Sequence, residues 1–83
     1  MKQVFTATLI IPQGLLCQFK VFCTGVKRWE FVNENLGMIV YLNFVPGIGF
    51  SGSLLHQWSN EVQQNIVVCQ AIFELQQYFK TRY

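Results

Sequence analysis

From Lys2 to Val45 apolar residues recur at every second position, the period of a strand that buries one face. Lys2 to Ile11 places Phe5, Ala7, Leu9 and Ile11 on one side and Val4, Thr6, Thr8 and Ile10 on the other. Leu15 to Thr24 repeats the pattern, with Leu15, Cys17, Phe19, Val21 and Cys23 against Leu16, Gln18, Lys20, Phe22 and Thr24. Pro12-Gln13-Gly14 between them supplies turn chemistry, so the two segments are expected to pair as an antiparallel hairpin. Thr24-Gly25 turns the chain again. Arg28 to Val32 then predicts a short third strand, with Trp29 and Phe31 on its apolar side. After the polar turn Asn33-Glu34-Asn35-Leu36-Gly37, Met38 to Val45 is apolar on both sides except at Asn43, the pattern of a strand covered on both faces.

From Ser53 onward the period changes toward that of a helix. Asn60 is a suitable N-cap, with Glu61 in the first turn and Gln63 three residues on. Val62, Ile66, Cys69 and Phe73 form one apolar stripe, and Val68, Ile72, Leu75 and Phe79 an adjoining one. Gln63, Gln70, Glu74 and Gln77 gather on the polar side, and Lys80 and Arg82 sit where the helix dipole favours cations. The two stripes together are wider than a helix needs to cover one sheet. The expectation is an α+β fold: a meander of three or four antiparallel strands covered by one long C-terminal amphipathic helix, in a single domain. Val68, Ile72, Leu75 and Phe79 are expected to supply a contact surface for a partner.

Composition strengthens that last point. Apolar residues make up 52% of the 83 residues and charged residues only 12%, about half the usual share. A domain this small has too little interior to hide so much apolar surface, which predicts a protein partner, most simply a second copy of the same chain. The net charge of +2 comes from scattered cations, which gives nucleic-acid binding little support. No segment approaches about 18 uninterrupted apolar residues, so no membrane-spanning helix is expected. Thr6 and Thr8 interrupt the N-terminal apolar run and no small-residue cleavage site follows, so it reads as a strand rather than a signal peptide.

One stretch has the spacing of a chemical motif. Gly47-Ile48-Gly49-Phe50-Ser51-Gly52 follows a predicted strand and fits G-x-G-x-x-G, with Glu74 downstream of it. Val45 to Gly52 resembles the opening turn of flavin- and nicotinamide-dependent oxidoreductases. That resemblance implies Gly47, Gly49 and Gly52 as a phosphate- or dinucleotide-binding loop, with Glu74 as the ribose-binding acid. It requires Ile66 to Phe73 to be a strand, whereas the cap and the stripes make it a helix. Pro46 directly before the first glycine departs from the pattern, and the remaining chain is too short for the rest of such a fold. Trp29 to Tyr41 is similar to the early part of D-aminoacyl-tRNA deacylases, but the Ser-Gln and Gly-Pro motifs of that family are absent and no site residue is carried over.

Other catalytic and metal chemistries lack their parts. The chain has no Asp to orient its one histidine, His56, near Ser51, Ser53 and Ser59. Cys17, Cys23 and Cys69 have no CxxC spacing, and with one His they cannot complete a four-ligand zinc site within one subunit. They read as buried, reduced thiols of a cytoplasmic protein. Trp29, Tyr41 and Trp58 read as core or interface anchors, since no basic cluster surrounds them. The expected function is therefore a non-enzymatic interaction or assembly protein without a cofactor or metal, acting through an apolar dimer or docking surface.

Overall fold

The computed structural model describes residues 2–55 and 60–81, with the side chain of Leu55 not among those described. Five strands are followed by one helix: β1 (Gln3–Ile10), β2 (Leu16–Gly25), β3 (Arg28–Asn33), β4 (Met38–Val45), β5 (Gly49–Leu55) and α1 (Glu61–Lys80). The strands form one antiparallel meander in the order β1-β2-β3-β4-β5. The α+β class and the first four strands follow the apolar alternation. The strand count is a correction: there are five strands, where three or four were expected. Gly49–Leu55 has two glycines and two serines in seven residues, so its local preference for a strand is low. Pairing with β4 over seven positions, from Val45↔Gly49 to Ile39↔Leu55, overrides that preference.

The turns use the residues placed in them. Ile11 donates its N–H to Leu15 at 2.9 Å and Gly14 donates to Ile11 at 2.8 Å, which closes the β1–β2 hairpin. At the β3–β4 turn, Asn33 is the buried polar residue of the core region and both ends of its amide are used. Its Nδ2 donates to the Gln18 carbonyl at 3.1 Å, and its Oδ1 accepts from the Leu36 N–H at 3.0 Å. A buried amide satisfied on both sides ties the turn to β2 without leaving a desolvated polar atom.

Helix α1 starts where the cap was expected. Asn60 has extended backbone angles, and its side-chain oxygen accepts from Val62 N–H at 2.9 Å and Gln63 N–H at 3.4 Å. Those are two of the donors that the first turn of a helix leaves without carbonyl partners. Two contacts show how the sheet meets the helix. Gln70 is hydrogen-bonded to Ile10 on the outermost strand β1, while Val68 approaches Gly52 on the opposite outermost strand β5. A flat five-stranded sheet would be about 19 Å across, too wide for adjacent turns of one helix to reach both edges. The sheet is therefore curled, with α1 on its concave side.

The core fills that concavity. Ala7, Leu9, Phe19, Val21, Phe31, Met38, Val40, Leu42 and Leu54 from the strands meet Val67, Val68, Ala71 and Leu75 from the helix, all buried. Toward the C-terminal end of α1 the filling is aromatic. Phe5 stacks on Tyr78 with ring centres 4.3 Å apart, and Trp29 sits edge-on to Phe79 at 5.5 Å. Trp29 is thus a core anchor, as its place on the apolar side of β3 predicted. Among the described residues nothing gives the convex face of the sheet such cover. Tyr41, Asn43, Gln18, Lys20, Thr6 and Thr8 are exposed there. In β4 the residues Met38, Val40 and Leu42 are buried, whereas Tyr41 is 40% exposed. The expectation that this strand is covered on both faces is corrected: it is covered on one.

Candidate interaction surface

The glycine stretch is a hairpin, and its geometry differs from the loop the spacing suggested. Ile48 N–H donates to the Val45 carbonyl at 3.0 Å, closing a turn with Pro46 and Gly47 at its centre. Gly47 has φ of +84° and Gly49 of +108°, conformations that side chains with a β-carbon rarely adopt. Gly52 serves a different need. A β-carbon there would lie 2.5 Å from Leu42 Cδ2 and from the Tyr41 carbonyl oxygen, and 3.3 Å from Val68 Cγ1. Its missing side chain makes room first for Leu42 and the Tyr41 backbone of β4, with Val68 of α1 close by. The oxidoreductase fingerprint serves a strand–loop–helix unit, in which the loop opens directly into a helix N-terminus. Here the loop leads into β5, antiparallel to β4, and the helix begins only at Glu61. Ile66 to Phe73 is helical, so Glu74 lies in mid-helix and not at the end of a strand.

The two helical stripes have separate fates. Val68 and Leu75 are buried against the chain's own sheet, and Ile72 and Phe79 pack on the same core. The four residues expected to offer a contact surface therefore hold the protomer together. The other stripe faces outward: Val62 is 68% exposed, Ile66 47% and Phe73 58%, with Cys69 also exposed among them. The rotation of the helix about its axis decides this, and two contacts set it. Val68 fits over Gly52, and Gln70 engages Ile10, with Ile10 N–H donating to Oε1 at 2.8 Å and Nε2 donating to the Ile10 carbonyl at 2.7 Å. Phe73, five positions beyond Val68, is turned about 140° from Val68 by the helical repeat.

Beside the outward stripe lies the edge of β1. Ile11 N–H bonds to the Leu15 carbonyl on the β2 side, whereas both polar groups of Ile10 turn outward to Gln70. Because backbone groups alternate sides along an antiparallel strand, those of Thr6 and Thr8 turn outward as well. Two adjoining cavities run along this edge. One, of about 290 Å³, is lined by Thr8, Cys69, Gln70, Phe73 and Glu74. The other, of about 360 Å³, lies between Phe5–Thr8 and the helix residues Glu74, Gln77 and Tyr78. Sequence reasoning missed this edge, because alternation along a strand shows its faces but not which strand lies outermost.

The remaining candidates fall elsewhere. The cysteines are free, and their expected burial is corrected: Cys17 is half-buried, and Cys23 and Cys69 are exposed. Ser51 and Ser53 lie in β5, exposed. His56, Trp58, Ser59 and Arg82 lie outside the described residues. Among the described residues no three His, Cys, Asp or Glu side chains gather as a metal site would require, and no helix is long and apolar enough to cross a membrane. Comparison of the chain with known protein families, with curated proteins and with solved structures found no match.

Proposed function

We propose that this chain is a small non-enzymatic interaction or assembly protein that acts through the apolar outward side of α1, with a second copy of itself as its first partner. The observation that carries the reading is the row Val62, Ile66, Cys69 and Phe73, exposed along one side of a helix whose inner side is already occupied. Exposed apolar side chains aligned in this way mark contact surfaces, since isolated ones scatter. The free thiols of Cys23 and Cys69 suit a reducing compartment, which supports a cytoplasmic location in this reading.

The test compares the wild type with Ile66→Glu/Phe73→Glu, which charges the row without touching the core. Association state across a concentration series and capture of partners from the source cells are measured for both. Wild type is expected to associate and the double variant to lose that association while keeping its thermal unfolding transition. Identical behaviour of the two proteins in both measurements would end this reading.

A further inference from the structure

We infer that two copies of this chain join along β1, edge to edge and antiparallel, so that their curled sheets run on as one. This rests on the reading above that the outward side of α1 is a protein contact, and it names the partner and the way it is held. The starting observation is the edge itself. Thr6 and Thr8 turn their N–H and C=O groups away from β2, into the cavities that run between β1 and α1. A row of alternating donors and acceptors is matched by another strand; the side of a helix, whose backbone groups are used internally, cannot match it.

The occupant follows from what the described residues leave open. At one end Gln70 takes both polar groups of Ile10 and closes the edge. At the other end the β1–β2 register slips between Gln3 and Phe5, which disturbs the regular line of the strand. The regular open stretch between these two stops is centred on Ala7. A two-fold axis there sets Thr6 against the partner's Thr8 and Thr8 against the partner's Thr6, and each pair can exchange both of its hydrogen bonds. Threonines opposite one another are among the favourable cross-strand pairs. The stretch is thus complementary to itself and needs no other sequence.

The same axis stands across the sheet and keeps both helices on one side of it. It brings the Cys69 and Phe73 side of each helix, which borders Thr8, toward its counterpart. Apolar surface that the single chain leaves in water is then covered by the contact that the strand edges begin. Glu74, which lines both cavities, brings like charges toward each other across the axis, so concentration decides the association.

The experiment uses the full chain. Sedimentation equilibrium is run from micromolar to millimolar concentration, and amide exchange at Thr6 and Thr8 is followed by NMR at both ends of that range. The expected result is a monomer–dimer equilibrium, with exchange at those two amides slowed by at least about tenfold in the dimer. Thr8→Pro removes an outward N–H while leaving the β1–β2 ladder intact, so it is expected to stay folded and monomeric. A protein that is monomeric throughout overturns the inference, as does a dimer in which these amides exchange as fast as in the monomer or in which Thr8→Pro associates like the wild type. Should Thr8→Pro fail to fold, exchange in the wild type decides alone. A monomer that binds a different protein through Ile66 and Phe73 overturns only the pairing and leaves the contact surface standing.

Discussion

The two apolar stripes of α1 are similar in composition and opposite in use. Val68, Ile72, Leu75 and Phe79 lie on the sheet, while Val62, Ile66, Cys69 and Phe73 face away from it. Hydrophobicity cannot rank them, because each presents side chains of much the same kind. Small residues and close approach do. Ala71 is buried on the inner side, and Gly52 opens a space on β5 that receives Val68. The helix turns its small buried residue Ala71 and its close-approaching Val68 to the sheet, and its other stripe stays exposed. A stripe on a helix is a candidate for burial; the opposing surface selects which stripe is taken.

That difference can be tested from both sides. The largest effect is expected from Leu75→Ala, which empties a fully buried position and should cost about 2–5 kcal/mol in urea unfolding. Phe73→Ala on the outer stripe should stay within about 0.5 kcal/mol at concentrations where the protein is monomeric. Equal losses for the two would show that the stripes are not divided in this way. Next comes Gly52→Ala, where the added methyl meets the Tyr41 backbone and Leu42. It is expected to lower stability by about 1–3 kcal/mol through overpacking, read as a lowered urea midpoint. A neutral result would mean that the packing between Gly52 and β4 is looser than these distances require. A smaller loss than for Leu75 or Gly52 is expected from Asn60→Ala, which removes the acceptor for Val62 and Gln63 and should cost about 1 kcal/mol. Its effect belongs to the first turn of the helix and is read as a lowered urea midpoint.

A second contrast separates the strands that announced themselves from the one that did not. Period-two patterning over residues 2–45 places four strands and the inward residues Ala7, Leu9, Phe19, Val21 and Phe31 correctly. The fifth strand carries Gly49, Ser51, Gly52 and Ser53, residues that signal a loop when read along the chain. Each has a reason in three dimensions. Gly49 shapes the turn and Gly52 admits the helix, while Ser51 and Ser53 face water beside Asn43 and Tyr41. The G-x-G-x-x-G spacing thus arises from a hairpin turn and a point of close contact that share six residues. A motif of glycines states where side chains are absent, not why.

The candidate surface was legible only in part. Excess apolar content predicted that something beyond the core would be exposed, and the exposure of Val62, Ile66 and Phe73 agrees with that in kind. Its position was not readable, since the residues expected there turned inward. The cysteines show the same limit. Cys23 follows the inward parity of β2 yet is exposed: it lies one position past the end of the pairing with β1, and its Sγ donates to the Gly25 carbonyl at 3.3 Å.

Local rules were sufficient for what depends on neighbours in the chain. The alternation of β1 to β4, the Pro12–Gly14 turn and the Asn60 cap each follow from a few consecutive residues and their conformational preferences. Tertiary structure alone decided what depends on distant partners. It made Gly49–Leu55 a strand by pairing it with β4, and it set the rotation of α1 through Gly52 and through the Gln70–Ile10 hydrogen bonds, sixty positions apart in the chain. It also left β1 at the edge with the Thr6 and Thr8 backbone turned outward. Those outcomes rest on close packing and paired backbone groups between segments far apart in sequence, and no short stretch of the chain contains both halves of such a contact.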